Sequence, residues 1–297
     1  DLLTGDEISS KEFLKLIDFS IKLKKQNKTG KEKPLLKNKT LAMIFEKPST
    51  RTRVSFEVGM SQLGGHAVNL SSNQMQHSRG ESAEDTAKTL SCYVDAIVAR
   101  VYEHDFIEEL AKHSTIPVIN GLSNSYHPCQ TLADLMTIKE HKKKFKDLKI
   151  AWIGDGNNVC NSLIFGCSKT QIQISIATPK GFEPNSDVVK KASKYTSVDL
   201  TTDPEFAVRD ADVVMTDTFV SIHDSDAKSK KFLPTFQVNE SLMNKAKDNA
   251  IFMHCLPAKR DQEVTSAVID GLQSVVWDEA ENRLHTQKAL LLSLLSI

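Results

Sequence analysis

Short apolar runs alternating with longer amphipathic segments are the feature that most constrains how this chain can fold. The apolar runs have the length of buried strands and are rich in Val, Ile and Ala. They predict strands at residues 40–45, 95–102, 116–120, 148–154, 172–179, 211–217, 249–256 and 274–278. The segments between them predict helices at 9–28, 49–64, 82–93, 104–114, 127–145, 186–195, 239–248 and 281–295. Such alternation indicates an α/β fold with mainly parallel sheets.

The length of 297 residues suggests two domains. The lysine-rich segment 141–149 lies between two strand–helix sets, and basic residues suit the end of a helix. We therefore predict two doubly wound domains, residues 1–146 and 147–278, followed by a C-terminal helical segment, 279–297, that packs on the first. The polar stretch 221–236 predicts a long loop of the kind that often serves as a lid.

Composition excludes several classes of protein. Lys and Arg total 38, as do Asp and Glu, so the basic excess of most nucleic-acid-binding proteins is missing. No apolar run reaches the length of a membrane-spanning helix. The five cysteines are irregularly spaced without a CxxC pair, which argues against a metal or redox motif. The first residues match neither a signal nor a transit peptide, which favours a cytoplasmic location, or the mitochondrial matrix if a leader had been removed.

The strongest local signal is FEKPSTRTRVSFE at residues 45–57, where an apolar strand leads into a predicted helix. A helix N-terminus offers unpaired backbone N–H groups and the positive end of the helix dipole. The hydroxyls and guanidinium groups of STRTR add donors at the same place, which suits a phosphate. An ordinary capped helix with exposed arginines is the equally weighted alternative, and no Walker loop is present.

The segment HPCQ begins another predicted helix, with Pro128 at its first turn. His127 and Gln130 should then lie near one another, and a neutral histidine can donate a hydrogen bond to a carbonyl oxygen. By itself, a histidine in this position is more often a cap or a surface residue.

Two further candidates follow predicted strands. Asp217 ends one strand, and HCLP places Cys255 at the end of another. Ligands bind beyond the carboxyl ends of parallel strands, although a capping Asp and a buried structural Cys are the plainer interpretations. His254 is a poor base for Cys255, because adjacent strand residues point to opposite faces. WIGDGNN, at residues 152–158, has a glycine turn but lacks GxGxxG, so a nucleotide-binding dehydrogenase is only weakly indicated.

Taken together and in this order, STRTR, HPCQ, the strand-end Asp217 and HCLP resemble the aspartate/ornithine carbamoyltransferase family. The DGNN turn, HCLP and the EAENR segment at residues 279–283 are similar to its ornithine branch. The resemblance covers nearly the whole chain. It implies two α/β domains joined by interdomain helices, the first binding carbamoyl phosphate and the second the amino acid. It also implies trimers with active sites shared between subunits.

The resemblance assigns roles to residues of this sequence. It implies carbamoyl phosphate contacts from Ser49, Thr50, Arg51, Thr52, Gln76, Arg100, His127, Gln130, Cys255, Leu256 and Arg283. It implies ornithine contacts from Asn158, Asp217, Ser221 and Ile222. The catalytic groups would be Arg51, Arg100, His127, Asp217 and Cys255, with Cys255 acting non-covalently. No metal or organic cofactor is implied.

The implied reaction transfers the carbamoyl group of carbamoyl phosphate to the side-chain amine of L-ornithine through a tetrahedral intermediate, as in arginine biosynthesis. One departure bears on the amine. The ornithine branch usually reads Ser-Met-Gly where this chain has Ser221, Ile222 and His223, and glycine permits backbone conformations that histidine reaches only at a cost. Putrescine or an N-acylated ornithine is therefore the alternative acceptor, and a catalytically silent binder of carbamoyl phosphate or an amino acid is the alternative from another class.

Overall fold

The computed structural model describes residues 1–46, 49–71, 80–220 and 228–295. The chain forms two compact units. The first comprises Asp1–Met136 with Glu281–Ile297, and the second comprises Thr137–Ala280. The division thus falls at Met136 and again at Ala280, while the domain boundaries at 146 and 278 stay sequence-based predictions.

The first unit is built around a four-stranded parallel sheet with the order β2-β1-β3-β4. Its strands are β1 (Thr40–Phe45), β2 (His66–Ser71), β3 (Ala96–Arg100) and β4 (Val118–Leu122). Its helices are α1 (Ser10–Lys28), α2 (Thr50–Gln62), α3 (Ala83–Ser91), α4 (His104–His113) and the first part of α5 (Pro128–Lys142).

Local sequence explains how these helices begin. Ser9 caps α1 through a capping box, in which its hydroxyl accepts from the backbone of Glu12 and the Glu12 carboxylate accepts from the backbone of Ser9. Ser82 caps α3 more simply, since its hydroxyl accepts from the backbone N–H of Asp85. The core of the unit combines apolar side chains of the central strands with those of α3 and α4, including Ile44, Ile97 and Leu110.

The second unit contains a five-stranded parallel sheet with the order β7-β6-β5-β8-β9. Its strands are β5 (Lys149–Ile153), β6 (Gln173–Ala177), β7 (Val198–Thr201), β8 (Val213–Thr216) and β9 (Ile251–His254). Its helices are α6 (Asn158–Thr170), α7 (Ser186–Ala192), α8 (Pro204–Val208), α9 (Glu240–Met243) and α10 (Ser266–Ile269). The last helix, α11 (Val276–Leu294), begins in this unit and passes into the first at Glu281.

An apolar core lies against this second sheet and includes aromatic residues from the stretch predicted as a long loop. Phe232 is fully buried and stacks on Phe219, with ring centroids 4.6 Å apart. Among the described residues of 221–236, regular structure is limited to a 3₁₀ turn at Ser229–Lys231.

The two-domain, parallel α/β prediction is confirmed, and one predicted strand is wrong. Residues 274–278 do not form a strand: Ser274 makes an isolated bridge to Phe252, and α11 begins at Val276. Asp278 and Glu279 lie in the first turn of α11, where acidic side chains stabilise the positive end of the helix dipole.

Strands β2 and β7 and helices α6, α8 and α10 were not predicted from the sequence. Strands β2 and β7 lie at sheet edges and are largely unburied, so they lack the apolar runs that mark buried strands. Nearly every residue of α6 is buried, which removes the polar face on which helical periodicity depends. None of the helices in the described part of the chain has the length and apolar character needed to cross a membrane.

Candidate functional site

The first unit presents the start of α2 directly after β1. Ser49 occupies the N-cap position in an extended conformation, and its side chain makes no capping hydrogen bond. Thr50 is the first helical residue, and Arg51 follows it with an exposed side chain. The backbone N–H groups at this end of the helix are therefore available to oxygens other than the Ser49 hydroxyl, as at a phosphate site.

Two guanidinium groups converge on Thr52, which is buried in the first turn of α2. Arg100, at the end of β3, donates from Nη1 to the Thr52 hydroxyl at 3.3 Å. Arg283, buried on α11, donates from Nη2 to the same hydroxyl oxygen at 3.2 Å. Gathering positive charge in a buried place is unfavourable without a partner anion, so this arrangement suits a ligand with several negative oxygens.

His127 immediately precedes α5 and is buried. Burial holds the pKa of His127 well below its usual value of 6.5, and the positive charges of Arg283, Arg100 and Arg51 lower it further. The imidazole is therefore neutral at physiological pH. A neutral imidazole can donate one hydrogen bond without adding charge, which is what polarising a carbonyl oxygen requires.

The amide of Gln130 has a defined orientation. Its Oε1 accepts from Nη1 of Arg283 at 2.6 Å, and its Nε2 donates to Oδ1 of Asp134 at 2.8 Å. The sequence motif contained Gln130 but not Asp134. Their spacing of four residues on one helix was the available signal, because side chains so spaced lie on the same face.

In the second unit, a glycine turn after β5 leads into α6. A Cβ on Gly156 would lie 2.2 Å from the backbone nitrogen of Pro184, so only glycine fits there. Asn157 then caps α6, since its Oδ1 accepts from the backbone N–H groups of Val159 and Cys160 at 2.9 and 3.1 Å. Asn158, the predicted ornithine contact, is the first residue of the helix.

Asp217 and Cys255 follow β8 and β9, which are neighbouring parallel strands, and their side chains therefore meet. The Cys255 thiol donates to Oδ1 of Asp217 at 3.1 Å. Oδ2 of Asp217 accepts from Nδ2 of Asn157 at 2.8 Å. Asn157 is a site residue that the sequence did not single out, although its place at a helix start beside Asn158 was a usable signal.

Asp217, His254 and Cys255 carry potential metal-ligand atoms within 4.8 Å of one another. Both ring nitrogens of His254 already have partners, however. Nδ1 accepts from the backbone N–H of Leu256 at 2.9 Å, and Nε2 lies 3.2 Å from the Glu263 carboxylate. Of these three residues, Asp217 and Cys255 are therefore the ones left to bind a cation, and they already share a hydrogen bond.

The predicted residues are thus distributed between the two units. Thr52, Arg100, Gln130 and Arg283 are hydrogen-bonded in the first, with Arg51 and His127 linked to them through charge. Asp217 and Cys255 are hydrogen-bonded in the second, where Leu256 and Asn158 also lie. Gln76, Ser221 and Ile222 fall outside the described residues.

Comparison with known proteins places this arrangement in a family. Residues 1–140 match the carbamoyl-P binding domain of aspartate/ornithine carbamoyltransferase, and residues 146–294 match its Asp/Orn binding domain. The chain belongs to the aspartate/ornithine carbamoyltransferase family. The family resemblance read from STRTR, HPCQ and HCLP is confirmed.

Individual family members are similar over almost their whole length. The ornithine carbamoyltransferase of Cenarchaeum symbiosum is 61% identical, over 99% of this chain and 97% of the relative. That of Methanosarcina acetivorans is 50% identical, over 99% of both chains. The solved ornithine carbamoyltransferase of Pyrococcus furiosus is 50% identical and superposes with a TM-score of 0.96, covering 100% of this chain and 97% of its own.

One site residue crosses the boundary between the two family domains. Arg283 lies within the segment matched by the Asp/Orn binding domain, yet it belongs to the first structural unit and bonds Thr52 and Gln130 there. In this family member, the middle of α11 therefore contributes a guanidinium group to the cluster around Thr52.

Proposed function

We propose that this chain transfers the carbamoyl group of carbamoyl phosphate to the side-chain amine of L-ornithine, giving L-citrulline and phosphate. The observation that carries the proposal is the first-unit cluster, in which Arg100 and Arg283 converge on Thr52 beside a neutral His127. A cationic site that also has an uncharged hydrogen-bond donor for a carbonyl oxygen suits an acyl phosphate. The names of the relatives support ornithine as the acceptor.

Binding of carbamoyl phosphate falls to the first unit in this proposal. The phosphate carries about two negative charges at neutral pH. The backbone at the start of α2, with the hydroxyls of Ser49, Thr50 and Thr52, offers hydrogen bonds to its oxygens. Arg51 and Arg100 supply positive charge that offsets the charge growing on phosphate as it leaves, which lowers the barrier without a covalent intermediate.

The carbamoyl group then needs orientation and polarisation. His127 donates a hydrogen bond to the carbonyl oxygen, and Arg51 and Arg100 stabilise the negative charge that develops there in the tetrahedral intermediate. Gln130 presents its Oε1 toward Arg283, where it accepts a hydrogen bond at 2.6 Å. That oxygen is a suitable acceptor for the carbamoyl NH₂ group.

The amine must lose a proton before it attacks, because a free alkylamine has a pKa of about 10. Asp217 accepts hydrogen bonds from Asn157 and Cys255 and so offers a fixed negative charge near the second-unit site. In the proposal this carboxylate, held by the Cys255 thiol, binds the ammonium group and accepts the proton that the amine loses before it attacks. Asn158, Ser221 and Ile222 would hold the amino-acid end.

The test is citrulline formation from carbamoyl phosphate and L-ornithine, with putrescine and N-acetylornithine as parallel acceptors. Turnover with ornithine alone would support the proposal. Preference for another amine would point to the Ile222–His223 departure, and the double substitution I222M/H223G should then move activity towards ornithine. Ligand binding without turnover of any of the three amines would support the silent binder and overturn the proposal.

A matched pair of arginines tests the phosphate site. Arg51 lowers the pKa of His127 by its charge, whereas Arg53 forms an exposed ion pair with Glu57 at 3.1 Å on the same helix. R51A should lose activity by about 100-fold or more, the usual result of removing a transition-state charge donor. R53A should stay close to wild type. Wild-type turnover in R51A would refute the assignment.

We also propose a homotrimer in which the segment containing Gln76 serves the active site of a neighbouring subunit. Light scattering should give the mass of three chains, and a monomer active at high dilution would contradict this. A place in arginine biosynthesis follows from the proposed product, citrulline. The cytoplasmic location, with the mitochondrial matrix as the alternative, stays a prediction.

A further inference from the structure

The turn that follows β9 carries an unusual backbone conformation. Leu256 has a φ of +56°, which is a left-handed backbone conformation. Residues other than glycine and asparagine adopt this conformation at a cost in free energy. Its N–H donates to Nδ1 of His254 at 2.9 Å. Cys255, one residue before, donates its thiol to Asp217. The conformation of Leu256 therefore bears directly on where the thiol lies.

His254 has a fixed tautomer. Because Nδ1 accepts the Leu256 N–H, the ring proton is on Nε2, which lies 3.2 Å from Oε1 of Glu263 and donates to it. Both side chains have no exposed surface. Oε1 of Glu263 also accepts from the backbone N–H of Lys259 at 2.5 Å, and the backbone N–H of His254 donates to Glu279 at 3.0 Å.

A continuous series of contacts thus runs from the buried carboxylate of Glu263 through the His254 ring to the N–H of Leu256. We propose that Glu263 and His254 are positioning residues for carbamoyl transfer, which hold the Cys255–Leu256 turn so that the thiol stays on Asp217. The inference rests on the proposed carbamoyl transfer and deepens it. Neither residue was among the site residues indicated by the sequence motifs.

The position of the hydrogen bond to Leu256 allows a positioning role of His254 and Glu263 to be distinguished from a general contribution to the stability of the core. If the pair only fills space, all polar replacements of His254 should act alike and in proportion to lost stability. If the bond to Leu256 matters, the replacement must offer an acceptor where Nδ1 lies. Asparagine carries its oxygen near that position, whereas glutamine carries its polar atoms near the position of Nε2.

The experiment compares H254N with H254Q in the full-length protein. For each variant, kcat, both KM values and the denaturant midpoint are measured. H254N should keep kcat/KM for ornithine within about tenfold of wild type. H254Q should lose a further 10- to 100-fold, roughly the effect of an unsatisfied buried N–H. The KM for carbamoyl phosphate should change less than kcat/KM for ornithine in both variants, because the groups proposed to bind the phosphate lie in the first unit.

Glu263 is tested by conservative rescue. Glu263→Gln keeps an oxygen that can accept from both Nε2 of His254 and the backbone of Lys259, and should retain most turnover. Glu263→Ala removes the acceptor and should resemble H254Q, with a larger loss in kcat/KM for ornithine than for carbamoyl phosphate. Equal losses in E263Q and E263A that follow their denaturant midpoints would overturn the positioning role.

A second measurement keeps the inference independent of turnover. Cys255 is partly exposed, and of the remaining cysteines only Cys92 is exposed. In a C92S background, H254Q should make Cys255 react about tenfold faster with iodoacetamide, because the thiol leaves its carboxylate partner. Lack of citrulline formation by wild type would defeat the proposed function alone. An unchanged alkylation rate in H254Q would overturn the positioning role.

Discussion

Nη1 of Arg283 lies 2.6 Å from Oε1 of Gln130, which joins the last helix, α11, to the start of α5. The same guanidinium reaches Thr52 at 3.2 Å, at the start of α2. A residue close to the end of the chain therefore holds together two segments that the sequence presents as separate motifs. Its charge also helps to keep His127 neutral.

Replacement of Arg283 should consequently affect carbamoyl phosphate more than ornithine. R283A removes a buried charge and leaves Oε1 of Gln130 without its donor, so we expect the KM for carbamoyl phosphate to rise about 10- to 100-fold. R283K keeps the charge but not the planar fork, and should recover only part of the loss. Initial rates at varied carbamoyl phosphate, with R53A as the control, test this. A rise confined to the KM for ornithine would contradict it.

Site residues that follow buried strands could be predicted from the sequence, because ligands bind beyond the carboxyl ends of parallel strands. Asp217 and Cys255 were identified in this way, and β8 and β9 are indeed neighbours. Hydrogen bonds between separate motifs could not be predicted, since neither the spacing nor the periodicity of the sequence indicates that Glu263 accepts from His254. The roles of individual residues came from the family resemblance rather than from local chemistry.

Asn157 offers a way to separate helix capping from substrate binding. Its Oδ1 caps α6 while its Nδ2 donates to Asp217. Aspartate caps helices as well as asparagine does, so N157D should keep the cap but place a second carboxylate against Asp217. We expect stability to fall little and kcat/KM for ornithine to fall about 100-fold, a typical result of disturbing a catalytic carboxylate.

The matched control for this change is N185D. Asn185 caps α7 through the backbone of Asp187 and Val188, and it has not been assigned to the site. Thermal melts and ornithine-dependent rates of both variants decide the question. If N157D turned over ornithine as N185D does, the bond from Asn157 to Asp217 would have no part in catalysis.

Cys255 should act without forming a covalent intermediate. Its thiol donates to Asp217 at 3.1 Å, which is the arrangement of a proton donor rather than of a thiolate nucleophile. C255S keeps a donor with a shorter reach, so both turnover and ornithine affinity should weaken, by about tenfold each. Mass spectrometry of wild type during turnover should find no carbamoylated Cys255, and detection of that adduct would refute the non-covalent role.

Acid should destabilise the first unit through His285, which is buried on α11. Burial and the charge of Lys288 lower the pKa of His285 from 6.5 to about 4. In the unfolded chain this histidine takes up a proton below about pH 6.5, while the folded protein resists protonation until about pH 4. The unfolded state therefore binds more protons in this window, so stability is present above it and falls as the pH decreases. Linkage gives a loss of about 1–2 kcal/mol between pH 7 and pH 5.

Other groups also titrate over this range, and the contribution of His285 must be isolated by difference. H285Q removes the ionisation while keeping a polar side chain. The free energy of unfolding, measured by urea titration at pH 7 and at pH 5, should therefore depend less on pH in H285Q than in wild type. H141Q is the control, because His141 is exposed and paired with Asp278 in the second unit. An identical pH dependence in wild type and H285Q would show that His285 is protonated equally in the folded and unfolded chains.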